Sequence, residues 1–183
     1  ARAWPAPPTA REAAWAAQRA ALATLEHFTL EGRVAIQREA EGGSLKLRWI
    51  EGDGTTELRL LAPLGQGGFQ LRRDAAGVTL TTADGQRHRA ASFESLLQAH
   101  LKWAFPVDGA RYWVRGIPDP AAPIDHLELD PQGRLSDLAQ AGWRISVLAY
   151  RDAAGHSLPA RLLLSAGKVQ IRLVIDRWDF PPA

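Results

Sequence analysis

Apolar and polar residues alternate with a period of two along most of the chain. Leu45, Leu47 and Trp49, for example, are separated from one another by single polar residues. This alternation predicts strands that bury one face. The predicted strands are short, evenly spaced and joined by tight turns such as Asp84-Gly85, which favours an antiparallel meander over parallel βαβ units. The pattern predicts about eleven strands.

Two segments instead show helical periodicity. Thr9 begins a capping box, which predicts a helix that runs to about Phe28. Ser92 is the predicted N-cap of a second helix, which Pro106 ends. The segment 109–123 contains three prolines, so a short helical turn or a loop is the most that we expect there.

These elements together predict one mainly β domain of the α+β class. A closed barrel of about eleven strands is wider than side chains alone can fill. We therefore expect an unclosed antiparallel barrel, with the N-terminal helix and a helical insertion after the sixth strand covering its mouth. Such an apolar interior is typical of proteins that bind lipids. Residues 1–10 are rich in Ala and Pro and are expected to be a tether, and residues 11–183 to form the domain.

Composition excludes several classes of function. The net charge of the 183 residues is only +2, and no basic stripe is interleaved with aromatic residues, so nucleic-acid binding is not expected. The chain has no cysteine, which excludes disulfides and thiol chemistry. The five histidines lack the spacing of metal ligands, so neither a metal site nor a cofactor is predicted. No apolar run reaches the roughly 20 residues that span a bilayer.

One motif points to catalysis, and only weakly. Ser165 and Lys168 match the Ser-x-x-Lys motif of acyl-enzyme hydrolases. That nucleophile sits at the start of a helix, whereas Gly167 indicates a hairpin turn, and no Lys-Thr-Gly segment follows. We therefore predict no catalytic residue and do not expect an enzyme. A Ser-Lys hydrolase stays open as an alternative, as does an envelope interaction module with a solid core.

Six segments, taken in order, resemble a known family. They are "RLLAPLG" (59–65), "YWVRGIPDP" (112–120), "LELDPQGRLSDL" (127–138), "GWRISVLAY" (142–150), "LPARLLL" (158–164) and "VQIRLVIDRW" (169–178). In order and spacing they resemble the LolB family, the outer-membrane lipoprotein receptors of Gram-negative bacteria. The resemblance covers nearly the whole chain. It implies an unclosed antiparallel barrel with a helical lid, in agreement with the architecture predicted from the alternation.

The resemblance also implies a function. LolB proteins accept triacylated lipoproteins from the periplasmic carrier LolA and place them in the inner leaflet of the outer membrane, at its periplasmic face. They are anchored there by an acylated N-terminal cysteine, which this chain lacks. The simplest account is a soluble chain cut just after that cysteine. We expect a non-catalytic receptor that acts as a monomer; the nearest alternative is a soluble periplasmic lipoprotein carrier of the same fold, similar to LolA.

A loop of Pro63, Leu64 and Gly65 is the predicted membrane-insertion site. In the LolB family, the matching loop carries an exposed apolar residue implicated in handing the lipoprotein to the membrane. Burial of a leucine is worth about 1.5–3 kcal/mol, so an exposed one in a loop is unusual. Glycines give this loop conformational freedom. The alternative is that Leu64 folds back onto the barrel rim.

The walls of the acyl-chain cavity are predicted from the alternation and from the position of the lid helix. Their shared property is an apolar side chain on the face of a strand or helix expected to point inward. The predicted wall consists of Val34, Ile36, Leu45, Leu47, Trp49, Leu58, Leu60, Leu97, Trp103, Trp143, Ile145 and Val147. For each of them, ordinary core packing is the alternative.

Overall fold

The structure, a computed structural model, describes residues 9–62, 67–101 and 106–181. These ranges contain three helices and eleven strands. The helices are α1 (Ala10–Ala23), α2 (Phe93–Leu101) and α3 (Val107–Trp113). The strands are β1 (Phe28–Arg38), β2 (Glu41–Gly52), β3 (Thr55–Leu61), β4 (Gly68–Asp74), β5 (Gly77–Thr82), β6 (Arg87–Ala90), β7 (Ile124–Leu129), β8 (Leu135–Gln140), β9 (Trp143–Ala153), β10 (His156–Ala166) and β11 (Val169–Asp179).

All eleven strands belong to one antiparallel sheet. Their order is β6-β5-β4-β3-β2-β1-β11-β10-β9-β8-β7, so the chain forms two meanders that meet where β1 pairs with β11. The short strands β6 and β7 are the two edges and do not pair with each other. The sheet is therefore not closed, which confirms the predicted half-barrel of eleven strands with a helical insertion after the sixth.

The β1–β11 seam depends on Gly32. The register between the two strands shifts between Glu31 and Gly32, where a β-bulge brings the backbones close together. A Cβ atom at position 32 would lie only 2.0 Å from the carbonyl oxygen of Val174. Glycine is therefore required at this point for β1 to pair with the last strand.

Helix α1 begins as predicted but ends earlier. Thr9 Oγ1 accepts from the backbone N–H of Glu12 at 3.1 Å, and the Glu12 carboxylate accepts from that of Thr9 at 3.2 Å, which confirms the capping box. The predicted end near Phe28 was wrong, since the helix stops at Ala23. Thr24 caps it, and Phe28 is already the first inward-facing residue of β1.

The helical insertion contains more regular structure than predicted. Ser92 Oγ accepts from the backbone N–H of Ser95 at 3.2 Å, which confirms the predicted N-cap of α2. Helix α3, however, exceeds the single turn expected from the prolines of residues 109–123. Pro118 is the first of these prolines and lies beyond the end of α3, so none of them interrupts it.

The helices cover the concave face of the sheet. Phe93 and Leu97 of α2 and Trp113 of α3 are buried against inward-facing strand residues and form one continuous core. Helix α1 packs on the turn between β7 and β8, where a Cβ atom at Gly133 would lie 2.6 Å from the Arg11 carbonyl oxygen. The core therefore lies between one curved sheet and its helical cover.

Candidate functional site

A small apolar cavity lies between the sheet and the helices. Its volume is about 50 Å³, and apolar residues alone line it. Such a volume holds only a few water-sized molecules. We expected side chains alone to leave the interior open, but α2 and α3 supply further side chains, such as the fully buried Trp113, that nearly fill it. A long-chain ligand therefore requires part of the cavity wall to move outward.

Half of the predicted wall residues do line this cavity. They come from inward-facing positions of β1, β2 and β3 and from one position on α2, and each is less than a tenth exposed. They are Val34, Leu47, Trp49, Leu58, Leu60 and Leu97. Their role in binding acyl chains stays a prediction.

The other predicted wall residues lie elsewhere. Five of them pack in or against the same hydrophobic core without lining the cavity: Ile36, Leu45, Trp143, Ile145 and Val147. Of these, Ile145 is fully buried, so it belongs to the core of the second meander. Trp103 lies outside the described residues, as do Pro63, Leu64 and Gly65 of the predicted insertion loop.

Sequence reasoning missed five residues of the cavity wall. They are Leu71, Val114, Leu164, Ile171 and Leu173. Leu173 lies directly opposite Val34 across the β1–β11 seam, and Leu71 lies opposite Leu58. The alternation of β4, β10 and β11 was visible in the sequence, but the pairing of the first strand with the last was not predicted. For Leu164, Ile171 and Leu173 of β10 and β11, strand order was the missing signal.

The predicted insertion loop joins two residues that the structure does describe. The backbone N–H of Ala62 donates to the carbonyl oxygen of Gly67 at 2.8 Å. Beside this bond, an open cleft of about 690 Å³ lies at the outer face of β2 to β5 and is lined in part by Lys46, Arg59 and Leu61. Leu61 is 56% exposed. Ala62 and Gly67, which flank residues 63–66 in the sequence, therefore both belong to the lining of this cleft.

The opposite end of the half-barrel contains a buried arginine. Arg115 is only 2% exposed. Its Nε donates to the carbonyl oxygen of Arg111 at 2.9 Å, and its Nη1 donates to those of Leu22 and Leu25, both at 3.1 Å. Burial lowers the pKa of Arg115. The guanidinium thus fastens the end of α1 to α3 by directional hydrogen bonds.

A buried carboxyl group lies near this arginine. Glu51 is 6% exposed, and its Oε1 accepts from Trp49 Nε1 at 2.9 Å and from Thr56 Oγ1 at 2.8 Å. Burial raises the pKa of Glu51, and these two hydrogen bonds and the charges of Arg111 and Arg73 oppose that rise. Since Trp49 also lines the cavity, Glu51 orients one side of the cavity wall.

The geometry does not favour the Ser-Lys hydrolase. Gly167 has a φ of 56° in the turn between β10 and β11, as predicted. Ser165 lies in β10 opposite Gln170, and Lys168 Nζ is 3.0 Å from Glu39 Oε1. No hydrogen bond joins Ser165 to Lys168 in the part of the chain that the structure describes. The lysine therefore serves as the partner of an exposed carboxylate.

Comparison with known proteins shows the family. Residues 26–178 match the family model described as outer membrane lipoprotein LolB. The chain belongs to the LolB family. Outer-membrane lipoprotein LolB of Nitrosococcus oceani is 37% identical over 175 residues, which are 96% of this chain and 87% of the relative. The LolB protein of Stutzerimonas stutzeri is 37% identical over 167 residues, 91% of this chain and 81% of the relative.

The fold of this LolB-family chain also resembles that of a solved structure. A LolA superfamily protein from Nitrosomonas europaea superimposes with a TM-score of 0.56 over 96% of both chains, at 5% sequence identity. At this identity, the likeness concerns the fold alone. Among the described residues, no helix is long and apolar enough to cross a membrane.

Proposed function

We propose that this protein is a non-catalytic receptor that accepts acylated lipoproteins from a LolA-type periplasmic carrier and inserts them into the outer membrane. The observation that carries the proposal is the wholly apolar cavity between the half-barrel and its helical cover, in a chain of the LolB family. Acyl chains offer only apolar surface, and an apolar wall binds such surface without leaving a polar group unsatisfied.

Uptake requires the cavity to expand. Leu97 of α2 and Val114 at the end of α3 form the helical side of its wall, and the strands form the other side. These residues meet through apolar contacts, which have no fixed direction. An entering acyl chain can replace the contacts that the helices give up. Transfer then follows the relative affinities of the carrier, this cavity and the membrane.

Release to the membrane is assigned to the loop of Pro63, Leu64 and Gly65. Ala62 and Gly67, which flank this loop in the sequence, are joined by a backbone hydrogen bond and therefore lie close together. A leucine in such a loop gains free energy when it enters the apolar part of a bilayer. The proposal includes action as a monomer at the periplasmic face of the outer membrane.

The test is a two-step transfer assay with Leu64→Glu. Lipoprotein is first loaded from a LolA-type carrier onto this protein and is then passed to liposomes. We expect the variant to take up lipoprotein as the wild type does and to lose most of its release, because a carboxylate does not enter the bilayer. Leu148→Glu is the matched control, since Leu148 is 63% exposed on β9. Equal release by both variants would remove the insertion role of Leu64, and failure of uptake by the wild type would remove the receptor function.

Anchoring through an acylated N-terminal cysteine also belongs to the proposal. Its support is that the relatives are named outer-membrane lipoproteins. Mass spectrometry of the protein made from its complete gene measures this directly. An acylated cysteine ahead of the sequence favours the receptor, whereas a mature protein without acyl groups favours the soluble carrier.

A further inference from the structure

We propose that the cleft of Lys46, Arg59 and Leu61 on the outer face of the sheet binds the headgroups of anionic phospholipids. This headgroup cleft lies beside the ends of the predicted insertion loop. It would hold the protein against the membrane by the outer surface of β2 and β3. The inference rests on the proposed function in that it assigns a membrane surface as the partner.

The chemistry of the headgroup cleft suits a phosphate diester. Lys46 and Arg59 are the two charged residues of its lining, so its formal charge is positive. Thr81 adds a hydroxyl group, whereas the amide of Gln70 already donates to the carboxylate of Glu57. With a volume of about 690 Å³ and an open mouth, the cleft has room for a headgroup. Lysine and arginine are the side chains that bind phosphate oxygens most strongly.

Cations face each other across neighbouring strands at this place. Arg59 of β3 lies directly opposite Arg48 of β2, and Lys46 of β2 lies opposite Arg33 of β1. Like charges that are directly opposite destabilise a sheet. Two such pairs in adjacent positions are a local violation of sheet design, and violations of this kind are expected at functional sites. An external anion would relieve the repulsion.

Acidic neighbours neutralise only part of this charge. Glu31 lies 3.6 Å from Arg48, and Glu57 lies 3.2 Å from Arg59. Asp176 lies 3.3 Å from Arg33, so Lys46 is the one of these four cations for which no such pair is seen in the described part of the chain. Lys46 is exposed, and no carboxylate forms an ion pair with it among the residues that the structure describes. Its ammonium group is therefore available for an external partner.

An exposed leucine distinguishes a lipid surface from an acidic protein as the partner. Leu61 is the last residue of β3 and pairs with Gly68, which has no side chain to cover it. A Cβ atom at position 68 would lie 3.0 Å from Leu61 Cδ2. A leucine between cations fits the membrane interface, where apolar groups enter the acyl boundary and cations remain among phosphates. The lining of the cleft also includes Ala62 and Gly67, which flank the proposed insertion loop in the sequence.

The experiment measures binding of the whole protein to vesicles by flotation. Vesicles of phosphatidylcholine alone are compared with vesicles that also contain phosphatidylglycerol. We expect the wild type to prefer the anionic vesicles and to lose that preference at high salt. Lys46→Gln with Arg59→Gln should weaken binding to the anionic vesicles about 25-fold, about fivefold for each cation.

The matched control removes two cations elsewhere. Arg11 and Arg19 are exposed on α1, which packs at the opposite end of the half-barrel, and Arg11→Gln with Arg19→Gln gives the same change in net charge. We expect this control to change binding less than about twofold. If the two double variants weakened vesicle binding equally, the assignment of headgroup binding to the cleft would be wrong, because net charge alone would determine binding.

Two further measurements distinguish a failure of the headgroup cleft from a failure of the receptor function. Leu61→Ser should weaken binding to both kinds of vesicle roughly tenfold, and unchanged binding would remove the apolar part of the proposal. Saturation of the cleft by soluble glycerol phosphate, or binding of an acidic protein in place of vesicles, would also overturn it. Uptake of lipoprotein from the carrier in solution should be unchanged in the Lys46 and Arg59 double variant. If the wild type itself took up no lipoprotein, the proposed receptor function would be wrong, independently of the headgroup cleft.

Discussion

The centre of the half-barrel and its polar end are both buried, but they are held together by different forces. Around the cavity, apolar side chains such as Leu47 and Leu164 meet without hydrogen bonds between them. At the polar end, Arg115 donates three hydrogen bonds to backbone carbonyl groups of two helical segments. The first kind of contact tolerates exchange of partners, whereas the second depends on position and direction.

This difference separates a region that can rearrange from one that cannot. An acyl chain in the cavity would replace one set of apolar contacts by another, at little cost in free energy. Displacement of Arg115 would leave three carbonyl oxygens and a buried charge without partners. We infer that the junction of α1 with α3 stays fixed while the cavity expands.

Among substitutions that test the difference between the two regions, Arg115→Met should have the largest effect on the free energy of unfolding. Methionine fills similar space but donates no hydrogen bond, so the carbonyl groups of Leu22, Leu25 and Arg111 lose their donor. We expect the free energy of unfolding to fall by about 4 kcal/mol. Urea denaturation measures it, with the exposed Arg19→Met as the control. If both variants lost the same small amount, the polar end would not be the fixed region.

Leu71→Ala should have the next largest effect. Leu71 is fully buried in the cavity wall, and its truncation should lower the free energy of unfolding by about 3 kcal/mol. The enlarged cavity should also bind an apolar fluorescent dye more tightly. Leu148→Ala, at a position that is 63% exposed, should change neither property. A loss of stability without a gain in dye binding would mean that the wall collapses into the space.

The smallest expected effect is the change of the free energy of unfolding with pH that Glu51 causes. Burial raises the pKa of Glu51, so the folded protein holds this proton more tightly than the unfolded chain does. The free energy of unfolding should therefore decrease as the pH rises from about 4.5 towards neutrality. Glu51→Gln should remove part of that decrease and keep an oxygen that accepts from Trp49 and Thr56. Urea denaturation at pH 4.5 and at neutral pH measures this change in the free energy of unfolding, with the exposed Glu94→Gln as the control. Identical pH dependence in the wild type and in Glu51→Gln would contradict the role of burial.

The sequence was most informative where neighbours in the chain are also neighbours in space. Alternation predicted the hairpins, and the short-range contacts of Thr9 and Ser92 predicted how two helices begin. It failed at the end of α1, because the apolar residues Leu25 and Phe28 continue a helical stripe by chance while Phe28 already belongs to β1. The prolines after residue 117 also concealed α3.

Long-range contacts account for most of what the sequence did not reveal. Leu173 enters the cavity wall because β11 lies beside β1, and no local pattern encodes that pairing. Nothing in the sequence distinguished Arg115 from the many exposed arginines, since its burial results from the meeting of α1 with α3. About half of the cavity wall was predictable from inward-facing positions of β1, β2, β3 and α2. Of the remainder, Leu164, Ile171 and Leu173 required the strand order, whereas Val114 follows the helix α3 that was not predicted.

The seam between β1 and β11 has a consequence for the growing chain. Ribosomes make the N-terminal part first, so ten strands exist before the last one can complete the sheet. Each meander can form from local hairpins, but the two halves join only through β11. Until then, the eleven-residue strands β1 and β10 each have one side without a neighbouring strand, which invites pairing with other chains. In the finished protein, the edges are the short strands β6 and β7, with four and six residues.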